Sequence, residues 1–126
     1  MSLNFLKIAV VYLVIGAVLG LVMGITQQFA LTPVHAHLLL LGWASLALAG
    51  LVYHLYPAAS ATRLARLHFW LHNLGLPAFM VGLAAYLTGS PQAEPMLVAG
   101  AVTVIVGLVL FAANVLRIAG TLPRSP

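Results

Sequence analysis

Cysteine is absent from this 126-residue chain, and a single residue, Glu94, is acidic. Without cysteine there are no disulfides, no thiolate metal sites and no covalent c-type heme attachment. The redox compartment therefore leaves no mark in the sequence. With one carboxylate, the paired-carboxylate form of general acid–base catalysis is missing as well. Charged residues of both signs amount to 5% of the chain, where a soluble domain carries about a quarter. So few charges cannot cover a water-facing surface. A soluble enzyme and a disordered tail are excluded. The net charge of +4 rests on only five cations, too sparse for a phosphate-binding stripe, so nucleic acid is excluded as a partner.

What the chain has in abundance is apolar length. Hydrophobic residues make up 63%, and mean hydropathy is +1.15. A bilayer core of roughly 30 Å takes about 20 apolar residues per helix. Four stretches qualify, at about 5–25, 34–56, 67–87 and 96–116. Their backbone polar groups have no water partner in lipid, so they are expected to be helices. The sequence thus predicts an all-α, polytopic membrane protein, a four-transmembrane-helix bundle forming one domain over residues 1–126. Short connections bearing Pro33, Pro57, Pro91 and Pro95 separate the spans. The first stretch is longer than a signal-peptide core and lacks a clear small-x-small cleavage site, so it is read as a retained helix.

With four spans, both termini and the middle loop share a side. Lys7, Arg63, Arg66, Arg117 and Arg124 all fall there, and Glu94 falls opposite. The positive-inside rule then predicts cytoplasmic termini and a bacterial inner-membrane address. Gly16, Gly20 and Gly24 form a G-x-x-x-G ladder, and further glycines recur at Gly75, Gly82 and Gly89 and at Gly100 and Gly107. Small residues of this kind let helices approach closely in lipid. Plain helix packing is the leading reading; the sharper alternative is that some of them make room for a flat macrocycle or a second subunit.

Five histidines nearly equal all the fixed charges together. Ionisable residues within a membrane are costly and are functional candidates by default. His35 and His37, two apart on a helix, are separated by about 200° and point to opposite faces. They cannot readily share one metal ion. Each can serve a different cofactor, or one a cofactor and the other a loop hydrogen bond. His68 and His72, four apart, lie on one face, an arrangement suited to a single Zn or Cu ion or to a proton relay. Against this, His68 beside Arg66 and Trp70 also reads as an interfacial polar aromatic, and His72 as a hydrogen bond to a neighbouring helix. His54, between Tyr53 and Tyr56, reads as part of an aromatic belt, with an inner cluster alongside His68 as the alternative.

The stretch PVHAHLLLLGWASLALAGLVYHLYP, followed by RLHFWLHNLGLP, resembles the catalytic subunit of heme–copper oxidases, especially the C-type cytochrome oxidase and nitric oxide reductase branch. The matching residues are His35, His37, Gly42, Trp43, Gly50, Tyr53, Pro57, His68, Phe69, Trp70 and Gly75. The resemblance covers about 45 residues. The first and fourth helices fit the same region only by hydropathy, and the chain looks like a freestanding copy of the last four helices of that subunit. It implies that His35 matches the ligand of a high-spin heme and His37 the ligand of a low-spin heme. It assigns no ligand role to His68 and offers no counterpart for His72. The family's second low-spin ligand and its copper or non-heme iron histidines are absent, so one copy cannot be a complete oxidase.

In a homo-oligomer, His35 or His37 could pair with its own copy across the axis. Met23 or Met80 could instead supply a thioether within one chain. By rise per residue His72 is expected some 10 Å or more deeper than His37, which argues against one heme spanning both. The leading expectation is a small membrane heme protein carrying heme b, in electron transfer or diatomic gas binding, with His35, His37, His72, Met23 and Trp43 as candidate cofactor residues. Any turnover would be redox chemistry at the heme, served by a respiratory redox partner. The alternatives are an accessory, assembly or heme-carrier protein for a terminal oxidase, and a transporter using His54, His68 and His72, with Cu or Zn at the inner histidines.

Overall fold

Helix is the only regular structure among the described residues, 1–121 of the chain, in the computed structural model. Arg124, one of the cations used for orientation, lies outside them. Helix α1 spans Ser2–Thr26 and ends where Gln27 takes a left-handed backbone at φ 55°. Helix α2 spans Thr32–Leu55. A four-residue helix α3, Pro57–Ser60, leads into α4, Arg63–Leu87. Gly89, at φ 100°, turns the chain toward a 3-10 turn at Pro91–Ala93 and then α5, Glu94–Ala119. Four of these helices are long and apolar enough to cross a membrane. Each of the four predicted spans is present. The helices start up to four residues earlier than predicted, because polar residues such as Arg63 continue a helix past its apolar part.

Helix α2 is not uniform, which the sequence reading did not anticipate. It is α-wound over Thr32–His37, π-wound over Leu38–Ala44 and α-wound again over Ser45–Leu55. The Ser45 backbone N–H donates to the Leu40 carbonyl five residues back, and the Ser45 hydroxyl donates to the same oxygen at 2.8 Å. Where winding returns to four-residue spacing, a carbonyl is left over for another partner.

Apolar burial does not drive helices together in lipid; close fit does. The glycines show where that fit is closest. A Cβ at Gly16 would lie 2.7 Å from Leu39, and one at Gly42 would lie 2.6 Å from Tyr12, so α1 and α2 nest together. A Cβ at Gly100 would lie 2.3 Å from the Phe79 nitrogen, and one at Gly82 would lie 2.5 Å from the Leu97 nitrogen, so α4 and α5 touch backbone to backbone. The glycine ladder is mostly helix packing, as one reading expected. Gly24 is the exception, facing open space, and Gly89 serves the turn.

Two apolar clusters fill the bundle. One, at the end bearing the α3 loop, joins Phe5, Ala9, Leu46, Ala49, Tyr53, Ala59 and Ala65. The other, toward the opposite end, joins Val34, Leu38, Leu76, Met80 and Val104.

Candidate functional site

The α2 helix sends its first two histidines to different neighbours, as their 200° separation requires. His35 faces α1, where its Nδ1–H donates to the Gly16 carbonyl at 2.8 Å. Its ring lies against Gly20, so closely that a Cβ there would come within 2.6 Å of His35 Cε1. His37 faces α4, its ring edge-on to Phe79 with centroids 5.0 Å apart. Its Nδ1–H donates to the Pro33 carbonyl one turn back, at 2.6 Å.

These two hydrogen bonds decide the tautomers. A carbonyl oxygen only accepts, so Nδ1 carries the proton in both rings and Nε2 holds the lone pair. Metal-bound histidines are commonly oriented in this way, with one nitrogen donating to a backbone carbonyl and the other ligating. The donor chemistry of His35 and His37 therefore fits an axial ligand of heme iron. Enclosure is another matter. One cavity, of about 410 Å³, is lined by Ser2, Leu6, Leu48 and His54 among others, and a second lies between Val52, Tyr56 and the end of α5. Neither touches His35 or His37.

Other candidates lie in places the sequence did not specify. Met23 is buried on α1, one turn beyond Gly20 and hence on a similar face. Met80 packs in the cluster with Val34 and Leu38. Trp43, in the π-wound segment, packs on the cluster around Phe5 and Tyr53. His54 is exposed and lines the larger cavity. It does not form an inner cluster with His68, because Tyr53, its neighbour, is the residue whose side chain turns inward. No group of three or more His, Cys, Asp or Glu assembles among the described residues.

The inner histidines form the most enclosed polar feature. His68 is fully buried in the bundle, while Trp70 and Arg66 beside it take the exposed face. Its ring lies between Phe5, at 5.1 Å, and Phe111, at 5.0 Å between centroids. Its Nδ1 meets the Tyr53 hydroxyl at 3.1 Å. His72 is also fully buried, and its Nε2–H donates at 2.9 Å to the Leu41 carbonyl, within the π-wound segment of α2. That is the helix-to-helix hydrogen bond expected for His72. His37 packs on Phe79, seven residues and about 10 Å along α4 from His72, so the two histidines stand apart along the bundle as expected. An unpaired buried polar group costs about 1–3 kcal/mol. His68 Nε2 and His72 Nδ1 are both buried and unpaired.

Two features escaped the sequence reading. One is Tyr53 as partner of His68; its signal was a tyrosine one residue from His54, on the inward side of an amphipathic end. The other is Asn114, an amide inside the fourth apolar run. It donates from Nδ2 to the Ala59 carbonyl at 2.8 Å and accepts from the Thr62 hydroxyl at 3.0 Å. Thr62 in turn accepts from Ala65 N–H, capping α4. The polar clamp ties the α3 loop to α5.

Comparison with protein-family models, with curated proteins and with solved structures finds no match to this chain.

Proposed function

We propose that this chain is a small b-type heme protein, inserted in a bacterial cytoplasmic membrane with both termini inside. His35 or His37 ligates the iron at a surface shared with a second copy. The observation that carries the reading is the pair of Nδ1–H bonds to carbonyls, which leave two Nε2 lone pairs on opposite sides of one helix. The resemblance of the H-x-H-x4-G-W stretch and its downstream H-F-W to heme–copper oxidase catalytic subunits supports heme as the group. Bound heme supplies reversible one-electron chemistry, or an iron position open to a diatomic gas. The chain's own part is to hold ligands in one tautomer and to keep water away. Val34 and Leu38, buried on either side of the pair in sequence, serve the second role. The cavities lie elsewhere, so a second copy completes the enclosure.

Orientation rests on charge. Lys7, Arg63, Arg66 and Arg117 lie at one end of the helices, and Glu94 at the other. A second reading, as an accessory or heme-carrier protein of a terminal oxidase, is favoured by the same position of the two cavities away from His35 and His37. In it the larger oxidase covers His35 and His37.

The test is an absorption spectrum of the detergent-purified protein, oxidised and then reduced with dithionite, with heme counted per chain. The reading expects a sharp reduced b-type band, lost in His35→Ala or His37→Ala. A protein that stays colourless after expression with added heme refutes it. So does a spectrum that both variants leave intact. Copurification of full heme only with a larger oxidase selects the accessory reading.

A further inference from the structure

His68 and His72 share one face of α4, with ring centroids 5.4 Å apart. Both side chains are completely buried, and each has one nitrogen without a partner, Nε2 of His68 and Nδ1 of His72. The opposite nitrogens are engaged. His72 Nε2–H donates to a carbonyl that can only accept, so its Nδ1 is a bare lone pair. His68 Nδ1 faces the Tyr53 hydroxyl, which can accept from it as well as donate to it. With Nδ1–H donating to Tyr53, His68 Nε2 becomes the second bare lone pair.

We propose that these two nitrogens bind one Cu(I) ion. Ligand number selects the metal. No third His, Cys, Asp or Glu joins the pair among the described residues, and zinc asks for four ligands. Cu(I), a closed-shell ion, is satisfied by two imidazoles. Two metal–nitrogen bonds of about 2 Å each bridge nitrogens on rings this close. Charge points the same way: the cost of burying an ion rises steeply with its charge, so a monovalent cation is tolerated where a divalent one is not. The faces of Phe5 and Phe111 against His68 add cation–π stabilisation to the metal-bound ring. Tyr53 and the Leu41 carbonyl act as outer partners that hold the rings in place. Both ligands bind as neutral imidazoles, so no proton has to leave the buried site. The site is separate from His35 and His37 and does not depend on heme.

The test offers Cu(I) to the purified, full-length protein under reducing, oxygen-free conditions, from its complex with the coloured chelator bathocuproine disulfonate. Copper per chain is counted, and the X-ray absorption edge of the bound copper is recorded. Variants His72→Gln and His68→Asn keep a hydrogen-bonding amide but lose the imidazole lone pair. His54→Ala and the double variant His35→Ala/His37→Ala serve as controls. The expected result is one copper per chain in the wild type and both controls, with an edge typical of two-coordinate Cu(I). Affinity falls at least tenfold in either inner variant. If His72→Gln loses its helical circular dichroism, His68→Asn and the wild-type edge decide. A wild type that takes no copper overturns the proposal. So does copper that survives both inner variants, copper lost with His54, or an edge showing three or four ligands.

Discussion

Gly20 and Gly24 sit one turn apart on α1 and should respond oppositely to the same substitution. A Cβ at Gly20 would lie 2.6 Å from His35 Cε1 and 3.1 Å from its Nδ1. Ordinary contact begins at 3.4 Å, so the ring must retreat by about 0.8 Å or the helices must part. Retreat stretches the 2.8 Å bond from His35 Nδ1–H to the Gly16 carbonyl. Losing it inside the bundle costs about 1–3 kcal/mol. A Cβ at Gly24 meets nothing within 4 Å. Both substitutions also gain about 1 kcal/mol of helix propensity. That gain cancels when the two variants are compared, so Gly20→Ala should be less stable than Gly24→Ala by about 1–3 kcal/mol. The measurement is reversible unfolding in mixed micelles of mild detergent and dodecyl sulfate, followed by helical circular dichroism. A heme-replete sample adds a second readout: the reduced spectrum should shift in Gly20→Ala and not in Gly24→Ala. Equal stability in the two variants would refute the packing of His35 on Gly20 that underlies the site.

Gly100→Ala should also destabilise, by about 1–3 kcal/mol from overpacking, because the new methyl meets the backbone of Phe79 at 2.3 Å and no side chain can swing aside; the same unfolding assay reads it. Asn114→Leu removes the donor to Ala59 and the acceptor for Thr62, at about 1–3 kcal/mol, and should show first as faster tryptic cleavage after Arg63. The cysteine-free chain also allows a direct test of topology: single cysteines at Thr121 and Ser90 should react with impermeant thiol reagents from opposite sides of the membrane, and labelling from the same side would refute a four-span arrangement.

Four helices were legible from the sequence because lipid leaves the backbone only one economical solution, and the apolar runs are long enough to announce it. The opposite facing of His35 and His37 was legible for a similar reason, since a helix turns through a known angle per residue. The pairing of His68 with His72 on one face followed from the same geometry. None of this depends on which helix packs against which. Burial of His68 did depend on it. By position it belongs with Arg66 and Trp70 near the membrane surface, but α1 brings Phe5 over it and α5 brings Phe111, and Tyr53 turns inward to meet its nitrogen. The π-wound segment was equally hidden, because LLLLGWA carries no local mark of a five-residue hydrogen-bond step. The register there depends on Gly42 nesting against Tyr12 and on His72 claiming the Leu41 carbonyl from another helix. The local run of residues determines helix, span and face. Which lone pairs are left bare is decided only when distant helices come into contact, because a hydrogen bond's partner is set by proximity in space.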